Sequence, residues 1–432
     1  MEKILELAKK VTDAAEVFTI SSEYTSVQFE ANRLKHIQGK QSSNTSLRVI
    51  KNGRIGYATA SGYADRPKLV NMAVETAQFG MPVKFEFPSY FRYPDTPIFD
   101  QSVLNIKTGQ MIKLGEELIA PLQAHNEDIV CQAGIGRSEV TVQIGNSNGG
   151  SAKYNKTIFF VGVEGTVVHG TDMLFVGEGE SSCHPILESK KIIDLVLEQL
   201  EYAKTQAPIS TKQLPVIFTP NGAASAFIPA ITAAFNGKLV LEGASPLGNY
   251  LGETFFDAKL SLWDDATLAY FVESRPCDDE GVPSQRTPLI EKGVVANFIY
   301  DLQTAGMAKK QSTGNGSRDR GLPAPAYSSL VMAPGNVSFK DMVKDIDEGL
   351  VIEQLMGAEQ GNILGGDFSG NVLLGYKIEN GKIVGRVKDT MVSGNIYKLL
   401  KNIVALGSEV RSVGGSLRIP HIYCTGLSVA SK

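Results

Sequence analysis

The densest cluster of ionisable residues in the chain lies between Arg275 and Arg286. At its centre stand three consecutive carboxylates, Asp278, Asp279 and Glu280. Carboxylate oxygens are the ligands that hard divalent cations prefer, so the triplet could hold a metal ion, although its spacing is not that of an EF-hand. The alternative is a solvated acidic turn whose charge Arg275 and Arg286 neutralise. The residues of this segment alone favour the solvated turn.

The histidines and cysteines do not form a compact metal-binding motif. No histidine is followed by Glu, and no two lie within one helical turn, so they do not encode an HExxH or HExxxH zinc helix. The four cysteines form no CxxC pair, which argues against a zinc ribbon. A Walker A loop is also missing. We therefore expect the histidines to be structural or surface residues: His36, His125, His169, His184 and His421.

Composition excludes several classes of protein. The chain has 432 residues, and 42 basic against 46 acidic residues leave a net charge of −4. No run of Lys and Arg offers a surface for a nucleic acid, so direct binding of DNA or RNA is not expected. No apolar stretch reaches the roughly 18 residues of a membrane span. The first residues lack the apolar core of a secretory signal, so the expected compartment is the cytoplasm.

Hydrophobic periodicity predicts an α+β fold. Two β-prone runs flank Asn52-Gly53, a pair that favours the type I′ turn of a hairpin. Strands are also predicted at 16–31, 140–144, 157–168 and 214–218. Helices are predicted at 1–14, 66–79, 108–124, 188–204, 222–235 and 395–405.

The pattern changes character near Ala207–Ser210, which is the predicted main boundary. Before it, we expect an N-terminal α/β region with antiparallel strands and helices. After it, short strands and glycine-rich turns predict a β-dominated, barrel-like or sandwich domain. The predicted domains are an N-terminal α/β domain over 1–105, a central α/β region over 106–208 and a C-terminal β-rich domain over 209–432.

Several segments together resemble the TldD/PmbA family. The central one runs from Asp278 to Pro283 and continues with Arg286, then Asp301 and Thr304. Others follow in the same order as in the family: Ser312-Thr313-Gly314-Asn315, then Gly365-Gly366-Asp367-Phe368-Ser369-Gly370. The match extends over nearly the whole chain.

The resemblance implies a subunit without a zinc site. TldD-type chains are zinc metallopeptidases with an HExxxH helix and a distal cysteine ligand, whereas PmbA (TldE) chains lack these ligands. The corresponding helix here, 221–232, contains neither His nor Glu, and the context of Cys424 does not resemble the distal ligand. The chain therefore resembles a PmbA/TldE-type subunit, with no catalytic residue or metal ligand of its own.

The resemblance also implies partners. We expect a heterodimer with a TldD-like catalytic subunit that carries the zinc, and unfolded peptides as substrates; a homodimer of the isolated chain stays open. Two alternatives remain: a regulatory binding protein related to antitoxins or gyrase modulators, and an autonomous hydrolase with an unrecognised site. Candidates for the peptide chamber or the subunit interface are Asp278, Asp279, Glu280, Gly281, Pro283, Arg286, Asp301, Thr304, Gly366, Asp367, Phe368 and Ser369.

Overall fold

The computed structural model describes residues 1–89, 91–318 and 321–431. These residues form an α+β fold with two large sheets, which confirms the predicted fold class. The first part contains α1 (Glu2–Lys9), β1 (Ala14–Glu30), β2 (Arg33–Lys51), β3 (Arg54–Ser61), α2 (Arg66–Ala77), α3 (Gln101–Asn105), α4 (Thr108–His125), β4 (Val130–Asn146), β5 (Ser151–His169), β6 (Asp172–Ser182) and α5 (Lys190–Tyr202).

The second part begins with β7 (Lys212–Phe218) and α6 (Pro220–Ala234). It continues with α7 (Gly237–Leu241), β8 (Leu262–Asp265), β9 (Arg286–Glu291), β10 (Val294–Val295), α8 (Leu302–Ala308), β11 (Gly316–Ser317), β12 (Ala324–Pro325), β13 (Leu330–Met332), α9 (Phe339–Lys344), β14 (Glu348–Met356), β15 (Asp367–Glu379), β16 (Lys382–Arg386), β17 (Thr390–Asn395), α10 (Ile396–Leu400), β18 (Ile403–Val413) and β19 (Leu417–Ser431).

Six long antiparallel strands form the sheet of the first part, in the order β3-β2-β1-β4-β5-β6. The hairpin predicted at Asn52-Gly53 joins β2 to β3. Both turn residues have positive φ angles, 50° and 71°, as a type I′ turn requires, so this prediction is confirmed. Because the sheet runs from β1 to β6, it includes strands from both regions predicted before 208; the three-domain division itself stays a prediction.

The first helix is shorter than the predicted 1–14. It ends at Lys9, and the hydroxyl of Thr12 donates to the carbonyl of Ala8 at 2.7 Å. A side chain that bonds the backbone in this way competes with helical hydrogen bonding. The chain then enters β1 at Ala14.

The second sheet contains a closed barrel. Strands β7, β14, β15, β17 and β19 follow one another, and β19 pairs with β7 to complete the ring. The sequence left a barrel and a sandwich open, and this pairing makes it a barrel. Helix α6 follows β7 directly and packs against β14, β18 and β19.

Side chains alternate between the two faces of the six-stranded sheet, and the two faces have different surroundings. On β5, Phe159, Val161 and Val163 pack into a core that includes residues of α4 and α5. Phe160 and Glu164 point to the opposite face and line a cavity together with residues of the second part. A smaller apolar cluster around Cys277 seals the other end of this face. The face therefore combines a packed contact with an open cavity.

Close backbone contact positions α6. A Cβ atom at Gly222 would lie 2.2 Å from the carbonyl oxygen of Ile352 on β14. Since that oxygen belongs to a barrel strand, the helix would have to move away.

We therefore predict that Gly222→Ala lowers the free energy of unfolding by about 1–3 kcal/mol, the usual cost of overpacking. Gly109→Ala is the matched control, because Gly109 also lies in a helix and its Cβ would meet nothing within 4 Å. The control should be neutral or slightly stabilising. Urea unfolding measures both; equal effects of the two substitutions would contradict the tight contact.

Candidate functional site

The acidic loop is buried. Asp278 and Glu280 are each 0% exposed. The Asp278 carboxylate accepts hydrogen bonds from the backbone N–H groups of Glu280, Val282 and Gly316, at 2.9, 2.9 and 2.8 Å. The interpretation of this segment as a solvated turn is therefore wrong, because Gly316 of the second part and Arg48 of the six-stranded sheet both pack against it.

An ion network of Glu16, Arg48, Glu280 and Arg318 holds the loop against the six-stranded sheet. Arg48 lies directly opposite Glu16 in the pairing of β1 with β2. Its guanidinium lies 3.0 Å from the Glu16 carboxylate and 2.5 Å from that of Glu280. Arg318 also pairs with Glu16, and its Nε donates to the carbonyl of Asp279 at 3.0 Å. The network thus joins the two parts of the chain.

Two aromatic rings from the connector between α2 and α3 cover the guanidinium of Arg48. Its central carbon lies 4.7 Å from the ring centre of Phe85 and 5.1 Å from that of Phe87. The amide of Asn148 donates to the carbonyl of Phe87 at 2.8 Å, so the turn after β4 holds this connector in place. A cation against an aromatic face is stabilised by the ring quadrupole.

Burial shifts the titration of these groups. Burial by itself lowers the pKa of Arg48, but Glu16 and Glu280 outweigh it and raise the pKa, so the guanidinium stays charged. Burial, followed by repulsion from the Glu280 carboxylate, raises the pKa of Asp278. Arg48 therefore keeps its buried positive charge, whereas the shift of Asp278 favours the protonated, neutral form of that carboxyl group.

Other predicted residues surround the loop in different roles. Gly281 has a φ of +76° and its carbonyl accepts a hydrogen bond from the Tyr93 hydroxyl. Pro283 forms an isolated bridge with Cys277 across the base of the loop. Arg286 is exposed and stacks on Trp263 at 3.8 Å instead of neutralising the loop. Arg275 supplies that charge, 3.6 Å from Asp279.

Asp301 and Thr304 lie next to the same loop. Asp301 is the N-cap of α8 and accepts the backbone N–H of Thr304 at 2.8 Å. The backbone N–H of Leu302 donates to the second oxygen of Glu280 at 2.7 Å. The structure thus brings Asp301 and Thr304 together with the acidic loop.

The segment Gly366–Ser369 lies elsewhere, at the start of β15. Gly366 has a φ of +79°, and a Cβ there would lie 2.5 Å from the ring of Tyr397. Asp367 is exposed and accepts the Asn395 amide at 2.8 Å, while Phe368 is buried in the core of the second part. Ser369 pairs with Ser393 on β17. These four residues shape the barrel wall; a role of any predicted residue in a chamber or a subunit interface stays a prediction.

The cavity behind β5 has a volume of about 790 Å³. Its floor is the outward face of β1, β4, β5 and β6, where Gly134, Gly162 and Gly179 lie directly opposite one another on neighbouring strands. The Phe160 ring lies over these glycines, since a Cβ at Gly134, Gly162 or Gly179 would be 3.3, 3.0 or 3.5 Å from its ring atoms, so the glycines make room for this ring. Its far wall includes Asn221 and Ser225, one turn apart on α6.

A second ionic group, the Arg411 cluster, stands beside this wall. Arg411 of β18 lies 3.6 Å from the carboxylate of Glu178 on β6 and 3.8 Å from that of Glu353 on β14. The Asn221 amide donates to both carboxylates at 3.3 Å. Burial raises the pKa of Glu353, and Arg411 opposes that shift. The cluster joins the six-stranded sheet, the barrel and α6.

The residues of α6 do not fit a zinc site. Zinc in proteins is bound by His, Cys and carboxylate side chains, and the helix presents an amide and a hydroxyl to the cavity with a guanidinium beside them. Burial raises the pKa of the Cys424 thiol to about 12, so it stays protonated at neutral pH. In residues 1–89, 91–318 and 321–431, no group of three or more His, Cys, Asp or Glu side chains could hold a metal ion.

Sequence reasoning missed the partners of both ionic groups. The sequence does carry a signal for part of the network: Glu16 and Arg48 each stand among apolar residues of a strand, where a charge needs a partner. Nothing local identifies Glu280, which lies 232 residues from Arg48. Arg411, Glu178 and Glu353 come from three separate strands, and their meeting depends on the fold.

A closed barrel with an adjoining helix, attached to a six-stranded sheet that covers a cavity, is an architecture shared with a known class of metallopeptidase-related proteins. A family model described as the PmbA/TldA metallopeptidase C-terminal domain matches residues 211–431, and one described as PmbA/TldA metallopeptidase domain 1 matches residues 15–77. The chain belongs to the PmbA/TldD metallopeptidase family, on its PmbA/TldE side, as the sequence motifs indicated.

Relatives of full length support this assignment. The chain is 26% identical over 432 residues to an uncharacterized protein of Methanocaldococcus jannaschii, with 99% of each chain covered. It is 24% identical to the metalloprotease PmbA of Escherichia coli O157:H7, with 98% of this chain and 94% of that protein covered. The crystal structure of TldE from Thermococcus kodakarensis has the same fold, with a TM-score of 0.91, 22% identity and 100% of both chains covered.

The buried Asp301 predicts a pH dependence of stability. Burial, followed by the Glu280 carboxylate, raises the pKa of Asp301 from 3.8 to about 6. A group with a raised native pKa favours the folded state when protonated; that contribution is complete below about pH 4 and is lost as the pH rises through 6.

We therefore expect Asp301→Asn to remove this loss, because Asn still caps α8 and does not ionise. Between pH 4 and pH 7 the variant should gain about 2–3 kcal/mol relative to wild type, measured by urea unfolding. Asp65→Asn is the matched control, since Asp65 is the exposed N-cap of α2. Parallel pH profiles for wild type and Asp301→Asn would refute the buried ionisation.

Proposed function

We propose that this chain is the non-catalytic subunit of a TldD–TldE-type metallopeptidase complex that processes unfolded peptides, and that zinc and bond cleavage belong to a TldD-like partner. The observation that carries the proposal is the wall of the cavity, where α6 presents Asn221 and Ser225 beside the guanidinium of Arg411. Relatives named metalloprotease PmbA support a role of this chain in peptide hydrolysis.

The guanidinium of Arg411 differs chemically from the catalytic zinc that we assign to the partner. A catalytic zinc lowers the pKa of a bound water and polarises a carbonyl. A guanidinium also neutralises nearby carboxylates, but it has no open coordination position and does not lower the pKa of a water in this way. The Arg411 cluster therefore supplies positive charge to Glu178 and Glu353 without supplying hydrolysis.

The acidic loop does not support an autonomous metal-dependent hydrolase. Asp278 uses both oxygens for three backbone N–H groups, and Glu280 uses both for Arg48 and Leu302. Carboxylate oxygens that are already bonded in this way are not arranged to coordinate a cation. The carboxylates instead fix the two parts of the chain to each other.

The cavity gives an unfolded peptide a place to lie. Its volume of about 790 Å³ lies within the range typical of ligand-binding clefts. No helix of the described segments is both long and apolar enough to cross a membrane. A cytoplasmic location, as the sequence indicates, suits a complex that meets unfolded peptides.

The test uses the full chain, alone and together with a TldD-like chain that carries HExxxH. We expect the chain alone to hold substoichiometric zinc and to leave an unfolded peptide intact. The co-purified complex should hydrolyse that peptide, and a chelator should abolish the activity. Chelator-sensitive hydrolysis by the isolated chain, or failure of the two chains to associate, would overturn the proposal.

A further inference from the structure

The cavity is lined by acidic side chains. Glu30, Glu164 and Glu178 border it, and none of its described lining residues is Lys or Arg. Glu164 projects from the floor on β5 and is exposed. A concave surface lined with one sign of charge concentrates ligands of the other sign.

Neighbouring cations compensate only part of this charge. Lys35 lies 3.6 Å from Glu30, in an exposed pair, and exposed pairs contribute little. Arg411 is shared between Glu178 and the buried Glu353 behind it. Of the three lining carboxylates, Glu30 and Glu178 thus have an ion-pair partner, whereas Glu164 has none within 4 Å among the described residues.

Apolar side chains stand beside these charges. The side chain of Phe160 is 41% exposed, and its ring lies against Gly134 and Gly162. Leu355 and Val413 border the cavity from β14 and β18. An exposed aromatic ring next to an uncompensated carboxylate suits a ligand with both apolar and cationic groups.

We propose that this cavity binds extended peptide segments in which Lys or Arg alternates with apolar residues. The charge complementarity selects the cationic side chains, and Phe160 with its apolar neighbours takes the others. The Phe160 ring, which lies over Gly134, Gly162 and Gly179, presents an apolar surface to the peptide. The proposal names the peptide class of the proposed function and rests on it.

Two labelled, unstructured peptides of equal length provide the test, one alternating Lys with Leu and Ser and the other alternating Glu with Leu and Ser. Fluorescence anisotropy with the full chain should show the Lys peptide binding about tenfold more tightly at low salt, and less so at high salt. Glu164→Lys should reduce this preference several-fold, and Glu164→Gln should reduce it less.

Glu75→Lys is the matched control, because it makes the same charge change on the exposed face of α2, away from the cavity. Equal affinity for the two peptides, or equal effects of Glu75→Lys and Glu164→Lys, would overturn the inference.

Turnover by the complex with its TldD-like partner separates this inference from the proposed function. A complex that hydrolyses both peptides equally well overturns the charge preference and leaves the proposed function in place. A complex that hydrolyses neither overturns the proposed function, and the anisotropy result then decides the binding preference by itself.

Discussion

The structure depends on one buried cation, the guanidinium of Arg48, which is shared by Glu16 and Glu280. Glu16 belongs to the six-stranded sheet and Glu280 to the loop of the second part. Moving such charges out of water costs several kcal/mol per ion, so each must be compensated where it lies. The loop can therefore be buried only where β1 and β2 supply the compensating charges, and this requirement fixes how the two parts of the chain are joined.

The Arg411 cluster is a second place where an arginine compensates carboxylates from both parts of the chain. There, too, one guanidinium lies between a carboxylate of the sheet, Glu178, and one of the barrel, Glu353. The cluster stands beside α6, whose Asn221 amide donates to both carboxylates, so it balances charge where the sheet, the barrel and this helix meet.

The sequence was a good guide wherever neighbouring residues decide the outcome. The Asn52-Gly53 turn needs two positive φ angles, and the apolar stripe of α4 repeats every three or four residues, so both could be predicted. That the segment 221–232 contains neither His nor Glu is a fact of the sequence, and the absence of a zinc site stays a prediction. Glu280, Asp301 and Thr304 were all candidate residues, and Glu280 accepts the N–H of Leu302 beside the Asp301–Thr304 cap.

The solvated turn was wrong because burial is not a local property. Three carboxylates before a glycine look hydrophilic in any short window, but Glu280 is interior because it pairs with Arg48, 232 residues away, and accepts the N–H of Leu302. Gly366–Ser369 lies at the start of β15, and its role in a chamber or a subunit interface stays a prediction. The burial of Glu280 depends on contacts between residues far apart in the chain, which no short window of sequence shows.

The most direct measurement is a double-mutant cycle between Arg48 and Glu280, with Arg48→Met, Glu280→Gln and the double variant followed by urea unfolding. Arg48→Met should cost about 3–5 kcal/mol, because it leaves the buried Glu280 carboxylate without its counter-ion, while Glu16 keeps Arg318. The double variant should recover part of that loss, with a coupling energy of about 2 kcal/mol or more. Additive costs, with no coupling beyond that of an exposed pair such as Lys190 and Asp194, would contradict the claim that this shared cation joins the two parts.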